Sequence, residues 1–388
     1  MKNIFLLALG MFALGLDAYV VAGLLPEIGV TFHATPSEVG QTVTVFTLCY
    51  ALAAPVFATL LAGKPIRKIL ALALAVFSCA NAASALAGSL EWLLAARAVA
   101  GLGAGLFSPI AVAAAVALVS KEQKGRALGL TLGGMSTGTV IGVPAGLWVA
   151  SRIGWQGTLW LVTALGLIGL IGILLRLPDI PAVPPPSLRQ RAGMLANPLV
   201  AATVGVSFLT AVASLGLYTY VAPILQGIAN IDTATSYFWA WGMGGMAGSF
   251  LIGAAIDWTQ RPLHLMLGLL TLLTLALALL PTALHSPLLG YLPFLVWGAT
   301  GWASQAPQQH TLLDLQPEHG AAAVALNSSA NYLGGAVGAA LGGVIIATGG
   351  LSRLPLLAAC VAFLALIIHT AILARFGASK MKKNRTAA

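Results

Sequence analysis

Two residues of this chain have the type and position to handle charge inside a membrane. Asp17 stands in Gly15-Leu16-Asp17-Ala18-Tyr19, near the middle of an apolar run from Ile4 to Leu25, and Arg97 stands in Leu94-Ala95-Ala96-Arg97. A charge at mid-bilayer costs about 2.5–3.5 kcal/mol even on the lenient insertion scale, so its side chain is turned toward a cavity or a partner. A carboxyl kept from water can bind and release a proton as its surroundings change, which makes Asp17 a candidate proton carrier. A structural Asp bonded to a neighbouring helix, or one that contacts a solute without titrating, fits the same position. Arginine keeps its charge in proteins, so Arg97 can tune an acid without carrying the proton. An Asp17–Arg97 interaction is one arrangement; a shallow Arg97 reaching toward the interface is another.

Either role needs helices that carry these side chains into the bilayer. Of 388 residues, 59% are hydrophobic and 7% charged, and mean hydropathy is +0.94. A soluble domain carries roughly 25% charged residues, so this chain cannot cover a globule with a solvated surface. The apolar stretches are about twenty residues long, the length of a membrane-crossing helix, and lack the alternation of a membrane β-barrel. Asp17 and Pro26 in the first run fit a retained helix rather than a cleaved leader. Twelve spans are expected, near 4–26, 38–62, 67–88, 92–119, 126–150, 156–176, 198–226, 234–256, 263–282, 288–312, 321–348 and 354–375. The expected class is an all-α membrane protein with twelve transmembrane helices.

The longest polar interruption runs from Arg176 to Asn197 and contains Pro178, Pro181 and Pro184-Pro185-Pro186, a linker composition. It divides the chain into a six-helix bundle at 1–176, a cytoplasmic linker at 177–197, a second six-helix bundle at 198–376 and a basic cytoplasmic tail at 377–388. The halves repeat. Gly138, Gly142 and Gly146 form GxxxGxxxG in span five, and Gly334, Gly338 and Gly342 form it again 196 residues later in span eleven. Thr59, Gly63 and Arg67 are answered by Gly253, Asp257 and Arg261 at an offset of 194. Two pseudo-symmetric halves around a central site are the plan of many secondary transporters. With both termini in the cytoplasm, only Arg152 and Arg353 lie outside and Arg97 lies within a span; every other Lys and Arg is inside. That bias supports the span count, because one missed helix would invert every later loop.

Further candidates follow from these elements. Small residues at every fourth position make a flat helix face on which backbones approach closely. Gly138, Gly142, Pro144, Gly146, Gly334, Gly338 and Gly342 are therefore expected at a conformational interface, packed on the opposite half and rocking against it. Asp257 and Arg261, one helical turn apart at the end of span eight, are expected to pair and, with Arg67, to form a cytoplasmic gate. Pro55, Pro109, Pro144, Pro223 and Pro307 are expected to kink their helices. Cys49, Cys79 and Cys360 read as small buried hydrophobes. His310 and Asp314 supply too few ligands for a metal. No GxxxxGK[ST] occurs and no soluble domain could hold a nucleotide. The net charge of +9 is scattered between apolar runs, which argues against nucleic acid. No cofactor or metal is expected; a membrane enzyme would need a titratable cluster at one membrane depth and a sensor a soluble output domain, and neither feature is read in the sequence, so both are set below a transporter.

Four motifs together resemble the major facilitator superfamily, and within it the drug:proton antiporters and the arabinose- and chloramphenicol-efflux-like permeases. They are Leu16-Asp17-x-x-Val20-x-x-x-Leu24-Leu25-Pro26-x-Ile28, Leu94-x-x-Arg97-x-x-x-Gly101-x-Gly103-x-Gly105, Gly138-x-x-x-Gly142-Val143-Pro144-Ala145-Gly146, and Leu217-Tyr218-Thr219-Tyr220-Val221-Ala222-Pro223. Two positions depart from the pattern: Gly63 replaces a loop Asp, and Ala100 replaces a Gln near Arg97. The resemblance implies a proton-coupled antiporter that exports small organic compounds such as drugs, acting as a monomer in the bacterial inner membrane. Its partners would be solute, protons and lipid. It gives Arg97 a part in proton coupling, and it makes Tyr218, Gln305, Asn327 and Asn331 candidate cavity contacts among polar span residues such as Asn81 and Gln308. Export of a sugar, nucleoside or amino-acid-like metabolite is the alternative, and uptake by proton symport a weaker one.

Overall fold

A computed structural model describes residues 2–60, 64–120, 123–180 and 193–386. They are helical nearly throughout, with no strand among them. In chain order the helices are α1 (Lys2–Phe32), α2 (Pro36–Leu60), α3 (Ile66–Ala85), α4 (Leu90–Ala117), α5 (Lys124–Thr137), a π-helical turn (Gly138–Gly142), α6 (Val143–Ile153), α7 (Trp155–Arg176), α8 (Pro198–Thr219), α9 (Val221–Ala229), α10 (Thr235–Thr259), α11 (Pro262–Ala283), α12 (Tyr291–Ala303), α13 (Gln305–Leu315), α14 (Gly320–Ala347) and α15 (Leu354–Thr386). Ten stretches among the described residues are long and apolar enough to cross a membrane. The other two expected spans are helical as well. One is α2; the other is the pair α12 and α13, of 13 and 11 residues. The protein is an all-α, multi-pass membrane protein.

Three prolines explain three interruptions. A helical proline has no N–H for the carbonyl four residues back. Pro223 deprives Thr219, where α8 ends; Pro307 deprives Ala303, where α12 ends; Pro144 deprives Val140, inside the π-helical turn. Pro109 instead lies within an unbroken α4. The side chain of Pro55 lies outside the described residues, as do Gly63 and the linker prolines from Pro181 onward.

Contacts divide the chain into two compact units. One comprises residues 1–185, 218–242 and 339–351; the other comprises 186–217, 243–338 and 352–388. The first thus joins the whole expected N-terminal half to two stretches from later in the chain. Within it, α1 packs against α5, α6 and α7, and α3 lies between α4 and α7. In the second unit α11 packs against α12 and α15, with Val206, Met266, Leu270, Ala365 and Ile372 forming one buried cluster.

The glycine ladders face other neighbours than expected. A Cβ at Gly138 would collide with the carbonyl oxygen of Phe12 in α1, and one at Gly142 would meet Leu16 Cβ at 3.2 Å. At Gly146 it would meet Val20 Cγ2 at 2.9 Å. Gly334 presses in the same way on the Phe208 carbonyl and Gly338 on that of Val212, both in α8. Both ladders therefore pack on the first helix of their own half, which corrects the expectation for the glycine faces; span eleven still meets residues of the first half, where Ser37 Oγ donates to the Gly343 carbonyl at 2.7 Å. The reason is rotational: the flat face points at the adjacent helix, and the opposite face of the π-helical turn, at Val140, meets Gly242 of α10. Gly342, at the end of its ladder, lies against the ring of Tyr220.

Candidate functional site

Asp17 and Arg97 meet in the interior of the first unit. The stretch from Arg97 through Gly101, Gly103 and Gly105 brings them together through its glycines. A Cβ at Gly101 or Gly105 would collide with the carbonyls of Phe46 and Tyr50 in α2, and one at Gly103 would lie 2.7 Å from the Phe77 nitrogen of α3. With no side chains at these positions, α2 and α3 close on α4 from two sides. Phe46 then places its ring 4.3 Å from the Arg97 guanidinium carbon. Asn81, one turn beyond Phe77 on α3, reaches the same charge. On the other side, Gly15 lets α1 press against the Met135 carbonyl of α5, which fixes the height of Asp17.

The resulting centre is dry and fully connected around the carboxylate. Asp17 and Arg97 are 0% and 1% exposed, and Arg97 Nη1 donates to Asp17 Oδ1 at 2.6 Å. The same Nη1 donates to Asn81 Oδ1 at 3.2 Å, and Asn81 Nδ2 donates to Asp17 Oδ2 at 3.3 Å. Asn81 Nδ2 also reaches the Phe77 carbonyl at 3.1 Å, and Arg97 Nη2 reaches the Asp17 carbonyl at 3.5 Å. Arg97 does not reach toward the interface; it spends its charge on Asp17. Of the described ion pairs this is the buried one. Arg67–Asp179 and His310–Asp314, at 3.7 and 3.3 Å, stand in the open. A buried pair is stable only as a pair: removing one partner strands the other charge.

The remaining expected residues are dispersed. Tyr218 belongs to the first unit and is buried in an aromatic cluster, its ring centroid 4.4 Å from Trp241, 5.2 Å from Phe238 and 5.4 Å from Tyr19. Gln305, Asn327 and Asn331 belong to the second unit. Gln305 Nε2 donates to Asn331 Oδ1 at 3.0 Å, and both are half-buried. Asn327, one turn before Asn331, is fully buried, and neither amide atom has a partner among the described residues. Arg67 bonds the Leu174 carbonyl and Asp179 at the start of the linker. Asp257 and Arg261 form no ion pair, against expectation. The helix stops at Thr259, Gln260 takes a left-handed φ of 54° and Arg261 lies beyond the turn. Of the cysteines, Cys49 is half-buried and Cys79 and Cys360 are exposed on their helices, which corrects the buried expectation; in a bilayer, small apolar side chains can face lipid.

Sequence reasoning missed the Asn81 bridge and Phe46. Asn81 was visible only as one polar residue in a span, and Phe46 carried no signal beyond its apolar type.

The family model for the Major Facilitator Superfamily matches residues 7–339. The MFS-type transporter YbcL of Bacillus subtilis is 29% identical over 346 residues, 89% of this chain and 88% of its own length. The inner membrane transport protein YdhP of Escherichia coli is 28% identical over 365 residues, 93% of each chain. A chloramphenicol resistance protein of Streptomyces lividans is 30% identical over 268 residues, 67% of each. Among solved structures, the nucleoside transporter NupG superposes with a TM-score of 0.78 at 15% identity, over 96% of this chain and 100% of that one. A bacterial homologue of the lysosomal transporter Spinster gives 0.75 at 16% identity, over 96% of each. The solved structures carry the fold alone.

Proposed function

This chain belongs to the Major Facilitator Superfamily, is a membrane transporter of small molecules rather than an enzyme, and we propose that it exports drug-like organic compounds in exchange for protons. The observation that carries the proposal is the Asp17–Arg97 pair, closed to water and bonded across α1 and α4. A proton on Asp17 would cancel the carboxylate and leave the guanidinium uncompensated. The dry contact between α1 and α4 would then lose its main attraction. Solute and proton would thus compete for one arrangement of these helices, and alternating access would follow from which of them is bound. Tyr218, Gln305, Asn327 and Asn331 are assigned to solute contact, and the two halves, 1–176 and 198–376, to the rocking bodies. The protein would sit as a monomer in the bacterial inner membrane with both termini inside, in keeping with the inner-membrane name of the YdhP relative.

Efflux rests on the chloramphenicol resistance relative. The test is chloramphenicol uptake by everted membrane vesicles carrying the protein. Export coupled to protons predicts accumulation when the lumen is acidified and collapse of that accumulation on adding a protonophore. Accumulation indifferent to the protonophore would remove proton coupling. No movement of chloramphenicol or of a wider panel of toxic compounds would remove drug export.

A further inference from the structure

We propose that Asn81 is a positioning residue that sets the pH at which Asp17 takes up its proton. The inference rests on the coupling role given to Asp17 above. Asn81 is fully buried on α3 and touches both charges at once, donating to Asp17 Oδ2 at 3.3 Å and accepting from Arg97 Nη1 at 3.2 Å. Arg97 Nη1 serves Oδ1 of the carboxylate. Asn81 is the side chain that serves the second oxygen. An amide suits this place because it offers a donor and an acceptor on one rigid plane. Its donor favours the charged carboxylate, and its acceptor keeps the guanidinium bonded after Asp17 becomes neutral.

The surroundings leave few other groups to set that pH. The charged groups facing Asn81 are Asp17 of α1 and Arg97 of α4. The other helix packed on α3 is α7, which presents Gly166 to Ser78 and Gly169 to Leu74 and has no titratable side chain before Arg176. Phe46 of α2 meets Arg97 with its ring face and adds no proton site. Arg97 cannot make good the loss of Asn81 by moving closer, because Nη1 is already 2.6 Å from Oδ1.

The experiment uses the full chain reconstituted in liposomes and follows the infrared C=O stretch of protonated Asp17, assigned by its disappearance in Asp17→Asn. In Asn81→Leu, which keeps the branched four-atom side-chain skeleton and removes both bonds, the band should persist to a pH about one unit more alkaline, the size expected for one hydrogen bond to a charged group. Asn81→Ser, smaller and easier to fold, should move it the same way by less. A side chain that merely fills space would alter the melting temperature and leave the titration in place, so an unmoved midpoint in either variant overturns the proposal. A parent protein in which Asp17 shows no titrating band would instead sink the coupling role itself.

Discussion

Span five presses Gly138 on the Phe12 carbonyl of α1, and span eleven presses Gly334 on the Phe208 carbonyl of α8. Phe208 follows Phe12 by the same 196 residues that separate the glycines. The packing of the two halves repeats residue for residue here. The charges do not. At that offset Asp17, Asn81 and Arg97 fall on Ala213, Leu277 and Pro293, and no buried ion pair lies among the described residues of the second unit; its buried polar groups include Asn327, Gln308, Ser214 bonded to Trp297 at 2.7 Å, and His369, whose Nε2 lies 2.8 Å from the Leu263 carbonyl. Shape is thus the shared property and the buried ion pair the divided one. The proposed function accordingly assigns the exchanged proton to Asp17, in the first half.

The largest expected effect tests the chemical asymmetry. Arg97→Leu strands a buried carboxylate and should destabilise the protein by about 3–5 kcal/mol, while Asn331→Leu in the second unit should cost about 1 kcal/mol. Thermal unfolding in detergent compares them, and adding Asp17→Asn to Arg97→Leu should recover much of the loss. Equal costs for the two single variants would erase the distinction between the halves. The packing symmetry is tested by Gly138→Leu and Gly334→Leu, which should each cost about 1–3 kcal/mol or more, since backbone carbonyls cannot step aside as side chains can. Clearly unequal melting temperatures would break the repeat, and Gly142→Ala should be milder than either. Arg67→Ala should do least. Its ion pair with Asp179 is exposed, so the cost should stay below about 1 kcal/mol and fade as salt is added.

What could be read from the sequence was whatever a single helix announces. A charge in an apolar run stands out wherever it points, so Asp17 and Arg97 were legible, as were the twelve spans and the prolines that break them. What depends on the rotation of one helix against another was not. GxxxGxxxG promises a flat face without naming the neighbour, which is why the ladders were expected on the opposite half. Asn81 and Phe46 acquire meaning only once Gly101 and Gly103 have drawn α2 and α3 onto α4. The unformed Asp257–Arg261 pair did have a local signal: Pro262 disfavours a helical residue before it, so the helix could not run on through Arg261.

The central claim is that Asp17 binds the exchanged proton. It is tested most directly by reconstituting the parent and Asp17→Asn with a pH-sensitive dye in the lumen and adding chloramphenicol outside. The parent should move protons across the membrane when the solute is added, and Asp17→Asn, with its fold verified by thermal unfolding, should move none. Undiminished proton movement in Asp17→Asn would contradict the account.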